Sequence, residues 1–232
     1  MRKFDEIINK VIQHLLESKL AEKKEFIDDA SGKKYFILLS PDALDKEFVC
    51  VIALGYPEKA GVWSNSLLGK NLIDESSMEP YFRAFNERNW GLVAINPHFF
   101  KPDRTGSKYV YQLEIVLELI NSNSKLGIIG FSMGGYQVIE FLGKNKTLLN
   151  RIVGIVLIDP AVFPNTDKNL LNDFKEKTIL FAAKDIKDVK SLGNIASNLF
   201  NLPAIKIDGI HGEVPNKSLD KIIEFYEKIL QI

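Results

Sequence analysis

Cysteine is nearly absent: Cys50 is the only one in 232 residues, so no internal disulfide can staple the chain. It lies in the strand-like run Phe48-Val49-Cys50-Val51-Ile52-Ala53-Leu54, where a thiol behaves as a small buried hydrophobe. Histidine is scarce too, limited to His14, His98 and His211. Without paired Cys or His spacing, no zinc site or other metal centre is indicated. Neither sign of charge dominates, with 30 Lys+Arg against 30 Asp+Glu. That balance supplies no long-range field for nucleic acid or an anionic membrane. No apolar run reaches the roughly 18 residues needed to span a bilayer. The start, Met1-Arg2-Lys3-Phe4-Asp5-Glu6, has no apolar stretch behind its charges, so the expectation is no signal peptide and a cytoplasmic setting. Gly-Lys-Ser/Thr and Gly-x-Gly-x-x-Gly are both missing, which disfavours a nucleotide, and no cofactor is expected. Repeats, low-complexity tracts and linkers are also lacking. A hydrophobic content of 46% with 26% charged residues is ordinary for a globular domain large enough to bury a sizeable core.

What is present is strong periodicity. Phe4, Ile7, Ile8, Val11, Ile12, Leu15, Leu16 and Leu20 recur at helical spacing, predicting an amphipathic helix over 1–23 that packs on the core. Two short strands, 24–28 and 34–39, flank Ser31-Gly32, the chemistry of a hairpin turn. Continuously apolar runs then appear at 48–54, 91–96, 125–129, 152–158 and 178–182, with a shorter one at 204–207. Helical segments at about 79–89, 108–121, 134–144, 190–200 and 216–231 alternate with them. This order predicts an α/β domain over 24–232, with a mostly parallel central sheet covered by helices on both faces.

One segment carries chemistry. Leu126-Gly127-Ile128-Ile129-Gly130-Phe131-Ser132-Met133-Gly134-Gly135 reads as a buried strand, a Gly-x-Ser-x-Gly turn and the opening of a helix. Chance produces such a pattern in roughly one chain in twenty of this composition, so its context decides. Strand–turn–helix is the setting of a nucleophile elbow, where side chains two residues either side of the serine would collide. A serine hydroxyl needs a base within reach, and histidine is the usual one. His211, in Asp208-Gly209-Ile210-His211-Gly212 between the last strand and last helix, sits at the carboxyl edge where active sites of open α/β sheets gather.

Hairpin, repeated strand–helix units and a central Gly-x-Ser-x-Gly together resemble the α/β-hydrolase family from about residue 24 to the C-terminus. The resemblance implies a serine hydrolase acting on a small-molecule acyl substrate, a carboxylic ester or thioester. An amidase, peptidase or acyltransferase with the same residues, or a ligand-binding protein with negligible turnover, are the alternatives. It implies Ser132 as nucleophile and His211 as base. The acid commonly follows the strand at 178–182, often as Gly-x-x-Asp; Ala182 replaces that Gly, and Asp185 matches best. Asp188 and Asp159 are the alternative acids, and Pro160 after Asp159 fits a structural turn there. The oxyanion hole is expected from the backbone N–H of Met133 and, after the third strand, of Tyr56, with Gly55 as the other candidate. Relatives often carry His-Gly where this chain has Leu54-Gly55.

Two segments are candidates for the substrate walls. The long stretch 57–78 contains Trp63, which either lines an acyl pocket or packs the segment down. His98, in Asn96-Pro97-His98-Phe99-Phe100, falls at the carboxyl edge after the fourth strand. Asp159 to Lys177 has room for a loop and a short helix but not a lid domain.

Overall fold

A computed structural model describes residues 2–27, 34–55, 58–95, 107–145, 150–185 and 190–231. Eight strands form one sheet: β1 (Glu22–Ile27), β2 (Lys34–Leu39), β3 (Phe48–Ala53), β4 (Gly91–Ile95), β5 (Lys125–Phe131), β6 (Ile152–Ile158), β7 (Thr178–Ala182) and β8 (Ala204–Lys206). Their spatial order is β1-β2-β4-β3-β5-β6-β7-β8. β1 and β2 form the expected antiparallel pair, Glu22 opposite Leu39, and β2 is antiparallel to β4. From β4 to β8 every pairing is parallel. The Ser31-Gly32 turn lies outside the described residues.

The continuously apolar strands are explained by two cores, one on each face. Alternate residues go opposite ways, as period-two geometry requires. Cys50, Ile52, Ile129, Phe131 and Val156 pack with α1 (Arg2–Glu17), α4 (Glu79–Glu87) and α8 (Val214–Leu230). Val49, Val51, Ile128, Ile155 and Leu157 pack with α5 (Ser107–Leu119), α6 (Met133–Lys144) and α7 (Leu192–Phe200). Cys50 is fully buried, its Sγ 3.6 Å from the Tyr226 hydroxyl, and burial pushes the thiol's pKa up. Ile8, Val11, Ile12 and Leu15 of α1 are buried in the first core. Among the described residues, no helix is long and apolar enough to cross a membrane.

The stretch after β3 is more ordered than its sequence implies. It holds two one-turn helices, α2 (Asn65–Leu68) and α3 (Ile73–Ser76), closed by a bridge between Val62 and Ser77. The backbone N–H of Trp63 donates to the Ser76 carbonyl at 2.7 Å. Between β6 and β7 lie a loop and a single 3-10 segment, Asn172–Lys177.

Candidate active site

Ser132 stands between β5 and α6 with φ 55° and ψ −122°, a conformation that costs a non-glycine residue about 1–3 kcal/mol. Backbone hydrogen bonds hold it there. Its N–H donates to Ile158 O at 3.1 Å, and its carbonyl accepts from Gly135 (3.0 Å) and Ala161 (2.8 Å). The glycines are steric requirements: a Cβ on Gly134 would lie 2.2 Å from Ala53 O, and one on Gly130 2.7 Å from the Cα of Gly135. Met133 opens α6 directly after the serine, so its N–H is one of the unbonded donors at the positive end of that helix.

Gly55, in the loop after β3, lies against the nucleophile. A Cβ there would be 3.0 Å from Ser132 Cβ and 3.3 Å from Oγ. The loop on which the second oxyanion donor was expected is therefore beside the serine. Tyr56 itself lies outside the described residues, as do His98 and Asp188.

His211 begins a 3-10 turn, His211–Glu213, between β8 and α8. Its Nδ1 is 2.6 Å from Oδ2 of Asp159. An ionised carboxylate only accepts, so this contact puts the imidazole proton on Nδ1 and leaves Nε2 as the basic nitrogen. The ring stacks on Phe131, centroids 4.7 Å apart and planes 26° from parallel. Asp159 is 1% exposed. Its Oδ1 accepts from the backbone N–H of Ala183 (3.2 Å) and Gly193 (2.6 Å). These two bonds fix the carboxylate's orientation. Ser132 Oγ and His211 make no hydrogen bond to each other among the described residues.

The carboxylate that meets His211 is Asp159, one of the alternative acids, rather than Asp185. Asp185 is exposed, and its Oδ1 accepts the backbone N–H of Ser191 at 2.7 Å and the side-chain amide of Asn194. These bonds hold its carboxyl below the usual range and commit it to the start of α7. Asp159 directly follows β6, the strand paired with β5, and reaches the histidine from the edge of the sheet. The sequence signal was a carboxylate directly after an apolar strand; Pro160 made it look like a turn.

Of the two readings of Trp63, the packed one matches its position. It is 0% exposed and packs on Tyr81 (centroids 4.7 Å apart) and edge-on to Phe131 (5.9 Å). Instead of lining an open pocket, it backs the ring on which His211 rests. Glu58 was missed entirely. It follows the Gly55 loop, is largely buried, and its carboxyl pKa is pushed up to about 7, mainly by desolvation.

The chain has the α/β-hydrolase fold, which it shares with solved hydrolases and esterases. Est1E from Butyrivibrio proteoclasticus matches over 90% of this chain and 99% of its own, with a TM-score of 0.60 and 12% identity. The histone deacetylase Clr3 matches over 97% of this chain but 38% of its own, with a TM-score of 0.65 and 14% identity. In sequence, a Gallus gallus protein named cotranscriptional regulator ARB2A homolog is 33% identical over 99 residues, 40% of this chain and 24% of that protein. The alignment thus takes in less than a third of the relative's length. No protein-family profile matches the chain.

Proposed function

We propose that this protein is a serine hydrolase that cleaves carboxylic esters or thioesters through an acyl-enzyme on Ser132. His211 Nε2 takes the hydroxyl proton as Oγ attacks the acyl carbon. Asp159 holds the imidazole in its working tautomer and stabilises the imidazolium. The backbone N–H groups of Met133 and Tyr56 receive the oxyanion. His211 then protonates the leaving alcohol or thiol and activates the water that releases the acid. No cofactor enters this scheme.

The observation that carries this reading is the pairing of His211 with the buried Asp159 at the sheet edge where Ser132 occupies a strained turn. Fold alone would not suffice, because the α/β-hydrolase fold hosts several chemistries. The same residues serve an amidase, a peptidase or an acyltransferase, which differ in the leaving group or the acceptor.

The decisive experiment is hydrolysis of p-nitrophenyl esters from acetate to palmitate by wild type and Ser132→Ala in parallel. Turnover that disappears in Ser132→Ala supports the reading, and its length profile sizes the acyl pocket. Turnover equal in both proteins sinks it.

A second reading, a ligand-binding domain with negligible turnover, draws support from the names of two similar proteins. One is called a cotranscriptional regulator, and in the other this fold covers only 38% of a histone deacetylase. Fluorophosphonate labelling separates the two readings, since it requires an activated serine.

A further inference from the structure

We infer that the segment 62–77 is the platform on which His211 is set, and that Asn216 is the positioning residue that locks the histidine turn to it. The catalytic part of this inference rests on the hydrolase reading.

The platform is closed on itself. Its ends meet in the bridge between Val62 and Ser77. Inside that bridge, the backbone N–H of Trp63 donates to the Ser76 carbonyl and the Ser76 hydroxyl donates to the Ser64 carbonyl, each at 2.7 Å. The limb before α2 and the limb that ends α3 are thus tied side by side.

The histidine turn engages both limbs. It begins at His211 and runs straight into α8 at Val214, so residues 211–216 form one continuous stretch. Gly212 is buried against the first limb: a Cβ there would lie 2.6 Å from Ser64 Oγ and 2.9 Å from Ser64 Cβ. Its φ is not positive, so the glycine answers to space and not to backbone conformation. Asn216 grips the second limb. Its Nδ2 donates to the carbonyls of Asp74 (3.1 Å), Glu75 (2.9 Å) and Ser77 (3.0 Å), groups that a one-turn helix cannot satisfy internally. Its Oδ1 is buried without a hydrogen-bond partner. The amide therefore leaves its oxygen unpaired while its nitrogen makes three bonds, which the grip on α3 accounts for. Tyr81 of α4 secures the same stretch, its hydroxyl donating to the Pro215 carbonyl at 2.7 Å.

The imidazole rests on the platform too, since Trp63 packs edge-on to Phe131 and Phe131 stacks on the His211 ring. Asp159 approaches from the sheet, with Oδ2 2.6 Å from Nδ1. That bond survives only if the platform holds the turn at the right height. Swinging the segment open as a lid would break the Asn216 bonds and unseat Gly212, so it is a fixed support.

The test uses the whole chain. Asn216→Asp keeps the shape, loses the donors and sets a carboxylate against the three carbonyls. An acid in the first turn of α8 suits the helix dipole, so α8 itself is preserved. Nuclear magnetic resonance records the ring ¹⁵N shifts of His211, assigned with His211→Gln, at alkaline pH where imidazoles are neutral. Wild type should carry the proton on Nδ1, and Asn216→Asp should show a mixture of the two tautomers. A tautomer unchanged in Asn216→Asp overturns the inference. Fluorophosphonate labelling should slow about tenfold or more in the variant. Gly212→Ala should produce the same two changes, and adding Ser64→Gly, which removes the atoms in the way, should reverse both. Changes that persist in the double variant count against the platform. Mixed tautomers in Asn216→Asp with no labelling of wild type uphold the platform and refute the hydrolase reading. Ser132-dependent labelling with one tautomer in both proteins does the reverse.

Discussion

Asp159 Oδ2 lies 2.6 Å from His211 Nδ1, joining the end of β6 to the turn after β8 across the intervening β7. Its other oxygen is held by the N–H groups of Ala183 and Gly193. The carboxylate has little freedom to leave the histidine, because doing so would strand buried donors at about 1–3 kcal/mol each. Asp159→Asn should therefore lower kcat by about 10⁴-fold, since an amide can favour the wrong imidazole tautomer. Asp185→Asn should leave kcat within about threefold, because that side chain acts at the start of α7. Ester hydrolysis by the two variants decides the assignment. Equal losses would show that Asp159 is not the orienting acid.

Most of the fold was legible because apolar strands alternating with helices leave few ways to bury both faces of a sheet. The strand runs at 48–54 and 152–158 correspond to β3 and β6 almost residue for residue. The nucleophile turn was legible because Gly130, Ser132 and Gly134 are neighbours in sequence, although the backbone that Gly134 clears is that of Ala53 on β3. The carboxylate partner was not. Asp159 and Asp185 both follow apolar strands, and only the tertiary path of α7 shows which is occupied elsewhere. Asn194 and the Ser191 N–H engage Asp185, while Gly193 brings its N–H to Asp159. Glu58 had no sequence signature at all. A glutamate beside Pro57 reads as an ordinary exposed acid until the Asn65 N–H, at the start of α2, is found on its carboxylate.

Gly193 offers an independent check on the carboxylate. A Cβ there would sit 2.7 Å from Asp159 Oδ1 and 2.8 Å from the Cα of Ala182. The Ala182 backbone belongs to β7 and cannot yield cheaply, so the displacement falls on the carboxylate. Gly193→Ala should reduce kcat about tenfold or more while KM stays within about threefold. Circular dichroism should confirm a folded chain. Wild-type kcat in this variant would mean that the position of Asp159 is not critical to turnover.

The N-terminal helix should behave as part of the domain. Leu15 is fully buried, and Ile12 and Leu15 lie against Gly61, at 3.2 and 3.5 Å from where its Cβ would be. Leu15→Ala should cost about 2–5 kcal/mol through lost transfer energy and the cavity left behind. Urea unfolding followed by tryptophan fluorescence should show a single transition with a lowered midpoint and an unchanged slope. An unaltered midpoint would mean that α1 contributes nothing to the cooperative unit.

Glu58 makes stability depend on pH in a direction opposite to that of most acidic residues. Its folded pKa is raised from an ordinary value of 4.5 to about 7. Between those two values the folded chain holds a proton that the unfolded chain has lost, so stability falls as pH rises through this window. The stabilisation from the neutral acid is fully present below about pH 4.5, and the ionised form carries the full desolvation cost above about pH 7. Glu58→Gln removes the titration and keeps an acceptor for the Asn65 N–H. At pH 8.5 the variant should be more stable than wild type by about 2 kcal/mol, and at pH 4 the two should agree within about 0.5 kcal/mol. Urea melts at the two pH values measure the difference directly. A gain that is the same at both would place its origin in packing or helix contacts rather than in the buried charge. A gain confined to alkaline pH would place its origin in the ionised carboxylate.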